Sequence, residues 1–186
     1  MREQVIADIV GAKTTEQAVA AIKSVMKALH LNSAYGDMVR IQGDIQKEVR
    51  KLRDFEQTYE SLTIPRNFED LKTLTIEVGF LRTIVVDKFV SDVNMLKVLL
   101  EESKTEERDN AMKWLADSPD HKNLAKSSYR DYLGAAPSYK EWLRVKAITY
   151  GNYRLLEELL KSIDGFRAVL KTELYHISKI IEEDVK

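Results

Sequence analysis

Catalysis and metal binding need side chains that converge, and the reactive residues of this chain are spread apart. Its three histidines, His30, His121 and His176, fall on three different expected helices with no ligand spacing between them. A zinc site would need them to meet one another or nearby carboxylates. The carboxylate pairs Glu101–Glu102, Glu106–Glu107 and Glu157–Glu158 are adjacent in sequence. Neighbours on a helix diverge by about 100°, so such pairs share neither a proton nor a metal. There is no cysteine, which removes thiolate nucleophiles, disulfides and Cys-based metal centres. A Gly-rich phosphate loop, HExxH and GxSxG are also absent from the sequence. The expectation is a protein that is not an enzyme, with no cofactor and no metal.

Binding chemistry is better represented. The stretch from Ser127 to Arg154 holds five of the eight tyrosines and one of the two tryptophans. Between Lys122 and Arg154 seven basic residues stand against two acids, a net +5 in a chain whose total is −1. Advancing about 100° per residue, Val145, Ile148, Leu156, Leu159, Ile163, Phe166, Leu170, Leu174, Ile177 and Ile181 form one aliphatic seam on the last helix. Tyr139, Trp142, Tyr150 and Tyr153 fall on a separate stripe, with Lys146 among them. Rings and cations together suit single-stranded nucleic acid, because bases stack on rings while lysine and arginine follow phosphates. The candidate phosphate contacts are Lys122, Lys126, Arg130, Lys140, Arg144, Lys146 and Arg154, with Tyr139 and Trp142 as candidate stacking residues. A structural alternative uses the same residues: the preceding hairpin, with Leu124, Tyr129, Tyr132 and Leu133, folds back over the stripe. Tyrosine suits that half-buried contact. A second basic cluster, Lys47 to Arg53, is interleaved with Glu48 and Asp54 and reads as a salt-bridged solvent face.

The elements that must carry these residues are helical. Apolar residues recur at three- and four-residue steps, and sustained alternation of period two is absent. The expected fold is all-α: a long-helix bundle with antiparallel coiled-coil-like packing and a short helical hairpin insertion. Residues 1–186 form one domain, with an N-terminal helical arm (1–32), a long helical hairpin (33–103), short helices (104–134) and a long C-terminal helix (138–186). Gly11 interrupts a short first helix, and Thr14 with Gln17 caps the next. Ser33 starts the helix that ends near Leu62, and Asn67 restarts the chain after Pro65. The stripe Leu71, Leu74, Val78, Leu81, Val85 then shifts to Phe89, Val93, Leu96, Leu100, as when a helix turns to a new neighbour. Ser103 with Glu106 and Ser138 with Glu141 read as capping boxes. Ser118 reads as an N-cap, and Gly134 as the residue closing a helix.

No run is apolar and long enough to span a bilayer, and an acidic residue interrupts the first apolar run, so a cytoplasmic protein is expected. From "SYRDYL" through "YKEW" to "LLKSIDGFRAVL", Ser128 to Leu174, the sequence resembles the UvsY-type recombination mediators of bacteriophages. The charged helix "MVRIQGDIQKEVRKLRDFEQTYESL" is in keeping with them. The resemblance implies a homo-oligomer that binds single-stranded DNA and works with a recombinase or a single-strand-binding protein. A seam sustained to Ile181 also predicts self-association through the end of the last helix. Two other readings stay open: a helical protein–protein adaptor or inhibitor, such as a phage anti-defence protein, and an assembly scaffold. Tyrosine, tryptophan and arginine are equally the residues of protein interfaces.

Overall fold

A computed structural model of the chain describes residues 15–64, 66–118, 120–121, 124–125 and 128–184, without the side chains of 15–29 and 182–184. Helix α1 is Thr15–Ser61 and α2 is Phe68–Val85; a π-helical turn, Val86–Val90, leads into α3, Ser91–Glu102. Helix α4 is Lys104–Asp117, and α5 is a single turn, Tyr129–Tyr132. A 3-10 turn, Leu133–Ala135, precedes α6, Pro137–Asp184. The fold is all-α, with no strand among the described residues, and its long helices α1 and α6 pack against each other. The break expected at Gly11 and the Thr14–Gln17 cap lie outside the described residues.

Several boundaries differ from the sequence expectation. Helix α1 runs unbroken through Asn32 and Ser33. Neither residue costs a helix more than about 0.7 kcal/mol, and Leu31, Ala34 and Tyr35 pack there against Leu100, Trp142 and Val145. Asn67 caps α2 as expected, its side chain accepting from Glu69 N at 2.9 Å. The stripe shift near residue 88 is produced by the π turn. Its wider turn absorbs an extra residue, so Phe89 and Val93 stay buried while Lys88 and Asp92 remain in solvent. Ser118 has extended backbone and closes α4 by donating its N–H to Trp114 O, and the next α-helix among the described residues begins at Tyr129. Gly134 lies inside the 3-10 turn, without the left-handed backbone a closing glycine would adopt.

By packing, the chain divides into two units: residues 1–39 with 96–149, and 40–95 with 150–186. In the second unit the core is the seam read from sequence, with Ile45, Leu71, Val78, Val85, Ile163 and Leu170 almost wholly enclosed. Helix order follows from polar contacts across it. Arg66 pairs with Glu173 and Arg82 with Asp164, so α2 runs antiparallel to α6. Arg66 Nε also donates to Tyr59 O at 3.4 Å, so the end of α1 lies beside the start of α2, as in a helical hairpin. The expected salt-bridged solvent face on α1 is present in part: Lys47 is 2.7 Å from Asp44, but Lys51 reaches at 2.8 Å a Glu48 that is buried rather than in solvent.

A polar knot closes the α1–α2 hairpin of this unit. Tyr59 donates its hydroxyl to Glu173 at 2.7 Å, and its ring meets Phe166 edge-on at 5.6 Å. Arg66 donates to the other Glu173 oxygen at 2.9 Å and lies 4.1 Å over the Tyr59 ring. The hydrogen bond to Glu173, then burial, raises the Tyr59 pKa above its ordinary 10.0. A pKa raised by folding gives stabilisation that is complete below the unfolded value and lost as pH rises through the folded one. Tyr59→Phe should therefore be less stable than wild type near about pH 8, yet lose less stability towards about pH 11. Urea midpoints of both proteins at the two pH values check this. Equal alkaline losses would show that the phenol is not coupled to folding.

Candidate functional site

The expected binding residues lie around the start of α6, mostly in the first unit. Proline at the first helical position has the right φ and needs no hydrogen bond. Pro137 takes that place, after Ala136 with extended backbone. The Ala136 carbonyl accepts from Lys140 N at 3.0 Å, so the helix begins one residue before the expected Ser138 cap.

Trp142 does not present a stacking face. It is 2% exposed and packs with Leu100 and Val145, and its indole Nε1 donates to Ser103 Oγ at 3.1 Å. A buried indole needs such a partner, and meeting that need diverts Ser103 from its expected role. The backbone of Ser103 is helical and its side chain caps nothing; its hydroxyl instead donates back to Leu100 O. Tyr139 lies against Trp142, with ring centroids 5.4 Å apart and planes 19° from parallel. It is half-buried and touches both apolar clusters of this unit, the second being Ala111, Leu115, Tyr129, Leu133 and Ala136. Part of the stripe is thus covered, in the manner of the structural alternative. The cover comes from Tyr129 and Leu133, while Tyr132 stays outside at 44% exposed.

Two of the expected phosphate contacts are engaged internally. Arg144 Nη1 donates to both Glu141 oxygens at 3.1 Å, and the guanidinium lies 4.5 Å over the Tyr35 ring. The bond to Glu141, then that to Tyr35, raises the Arg144 pKa further. Lys146 Nζ is 2.8 Å from Glu101 and 4.9 Å over the Trp142 ring. Arg130, Lys140 and Arg154 are exposed and make no ion pair among the described residues. Lys122 and Lys126 lie outside the described residues. Of the other stripe rings, Tyr153 is half-buried, and its hydrogen bond to Glu157 raises its pKa.

The exposed aromatic surface of this unit lies elsewhere. Trp114, His121 and Tyr132 form a row, with centroids 5.9 Å apart from Trp114 to His121 and 5.8 Å from His121 to Tyr132. The Ser118 hydroxyl, 3.1 Å from His121 Nδ1, holds the middle ring. Trp114 is 40% exposed. The row escapes a reading of the 127–154 stretch because it draws on three separate segments. Its one sequence signal is Trp114 itself, a large ring set beside, not on, the Ala111–Leu115 stripe of α4.

Other sites offer little chemistry. No group of three or more acidic or histidine side chains among the described residues could hold a metal ion. No described helix is long and apolar enough to cross a membrane. In the second unit an open groove of about 430 Å³ is lined by Tyr59, Ala168, Val169, Thr172, Glu173 and His176. Compared with protein-family models, curated proteins and solved structures, the chain matches none.

Trp142→Ala should cost about 3–5 kcal/mol, since it empties an enclosed site, and Trp114→Ala about 0.5 kcal/mol or less. Urea unfolding measures both. Similar costs at the two positions would contradict the difference in burial.

Proposed function

We propose that this protein is a non-enzymatic helical adaptor that recognises another protein through the surface of its first unit. The observation that carries this reading is the half-exposed row Trp114, His121, Tyr132. Solvent-exposed rings set over a closed apolar cluster have the make-up of interface hot spots, which favour tryptophan, tyrosine and arginine. Arg130 is two residues from Tyr132 and exposed, so the third of these residue types is at hand. The three rings already contact one another within the chain, and contacts set in advance lower the entropy lost on association. A photocrosslinking amino acid in place of Trp114 should trap a discrete partner in cells, with the yield falling several-fold when Tyr132→Ala is added. Absence of any adduct, or a yield indifferent to Tyr132, would remove the adaptor reading.

A second reading keeps single-stranded DNA as the partner, and with it the recombination-mediator role and the recombinase or single-strand-binding protein that the resemblance implies. It is favoured by the exposed cations Arg130 and Lys140, neither of which is paired among the described residues. Each phosphate contact on a single strand contributes roughly −0.7 to the log–log salt dependence of affinity. Arg130→Ala with Lys140→Ala should therefore make the slope for an oligothymidylate shallower by about one to one and a half units. No binding of the wild-type protein at low salt would end this second reading.

A further inference from the structure

The row Trp114, His121, Tyr132 is set by the turn that closes α4. Ser118 donates its N–H to Trp114 O at 3.0 Å, and its own carbonyl accepts from His121 N at 3.1 Å. Its hydroxyl, 3.1 Å from His121 Nδ1, fixes the imidazole as well. Tyr132 enters from α5, where Tyr129 and the following Leu133 pack with Ala111 and Leu115 of α4. Each ring keeps a polar atom unused. Trp114 Nε1 and the Tyr132 hydroxyl make no hydrogen bond among the described residues, and Nε2 is the free nitrogen of His121. An indole gives only a donor, and a phenol gives a donor with an acceptor. The row therefore offers ring faces together with hydrogen-bond donors.

We infer that the row takes an extended, proline-rich segment of its partner in the polyproline II conformation; this rests on the adaptor reading and names the partner's chemistry. Three features select that segment. The first is hydrogen bonding. A partner helix uses its carbonyls internally, and a partner strand needs a sheet edge, of which the described residues have none. Polyproline II has no internal hydrogen bonds, so its carbonyls are free to accept, and proline brings no N–H that would need an acceptor. The second is length. Steps of 5.9 and 5.8 Å put the outer rings no more than about 12 Å apart. Residues i and i+3 of polyproline II share a face about 9 Å apart, so prolines at those two positions can meet Trp114 and Tyr132. The third is charge. Within three residues of a ring, Asp117, Asp120 and Asp131 are matched by Lys113, Lys122 and Arg130. The surroundings thus favour neither an acidic nor a basic segment. Polyproline II is also preformed, so it loses little entropy on docking against aromatic rings.

A fluorescein-labelled oligoproline of about twelve residues is the probe, with a Gly–Ser peptide of equal length as control. Anisotropy with the full chain should saturate with a dissociation constant below about 1 mM, and the control should not bind. Trp114→Ala should weaken binding about tenfold. Tyr132→Phe keeps the ring and removes only the donor, so it should weaken binding about threefold. Both positions are part-exposed, so the circular dichroism spectra of the variants should match wild type. No saturable binding of oligoproline, or equal affinity for the two peptides, would overturn the inference, as would unchanged affinity in both variants. A photo-adduct at position 114 with a cellular partner, together with no oligoproline binding, would overturn it while leaving the adaptor reading in place.

Discussion

The apolar seam along α6 is the constraint from which most of the second unit follows. A helix of 48 residues is stable in water only if its apolar face is covered, because tertiary packing supplies most helical stability. From Leu156 to Leu170 that face is enclosed by the matching stripes of α1 and α2. Keeping those stripes in phase over such lengths requires corrections. The π turn at Val86–Val90 is one of them, since it restores Phe89 and Val93 to the core. Another is the knot of Tyr59, Arg66 and Glu173, which ties the end of the hairpin to α6 with two short hydrogen bonds to one carboxylate.

The first unit is governed by a single large ring. Trp142 is the biggest fully buried side chain in the described structure, and enclosing it sets the conduct of its neighbours. Ser103 gives up a capping role to accept the indole N–H, Tyr139 stacks on one side, and Lys146 reaches over the ring to Glu101. Arg144, on the solvent side of the same helix, turns to Glu141 and Tyr35. The crowding of aromatic and basic residues after Ser127 is therefore explained in large part by packing. Tyr129 is core, Tyr139 joins two apolar clusters, and only Tyr132 turns substantially outward.

Surfaces left over once these demands are met are the ones open to partners. They include the row Trp114, His121, Tyr132 in the first unit and exposed apolar side chains such as Phe80, Ile180 and Ile181 in the second. Their apolar and aromatic side chains are of the kinds enriched at protein interfaces. Exposed cations such as Arg130 and Lys140 add charge at the surface of the first unit without being committed to an internal acid.

Sequence alone determined the helical class, most of the seam residues between Leu71 and Leu100 and along the last helix as far as Leu170, and the Asn67 cap. These depend on periodicity and on hydrogen bonds within a few residues, which the local chain contains in full. The phase shift near Lys88 was legible as a fact, though its cause, an extra residue taken up in a wider turn, is a property of the backbone. The continuity of α1 through Ser33 was decided by tertiary structure, because the cost of a poor helix former is tenths of a kcal/mol and contact with Trp142 outweighs it. So were the roles of Ser103 and Trp142, which depend on each other across 39 residues of chain. Which rings face solvent could not be read from composition either. Tyr132, His121 and Trp114 meet only after α4, the turn at Ser118 and α5 have folded together, and a one-dimensional pattern carries no distance between segments.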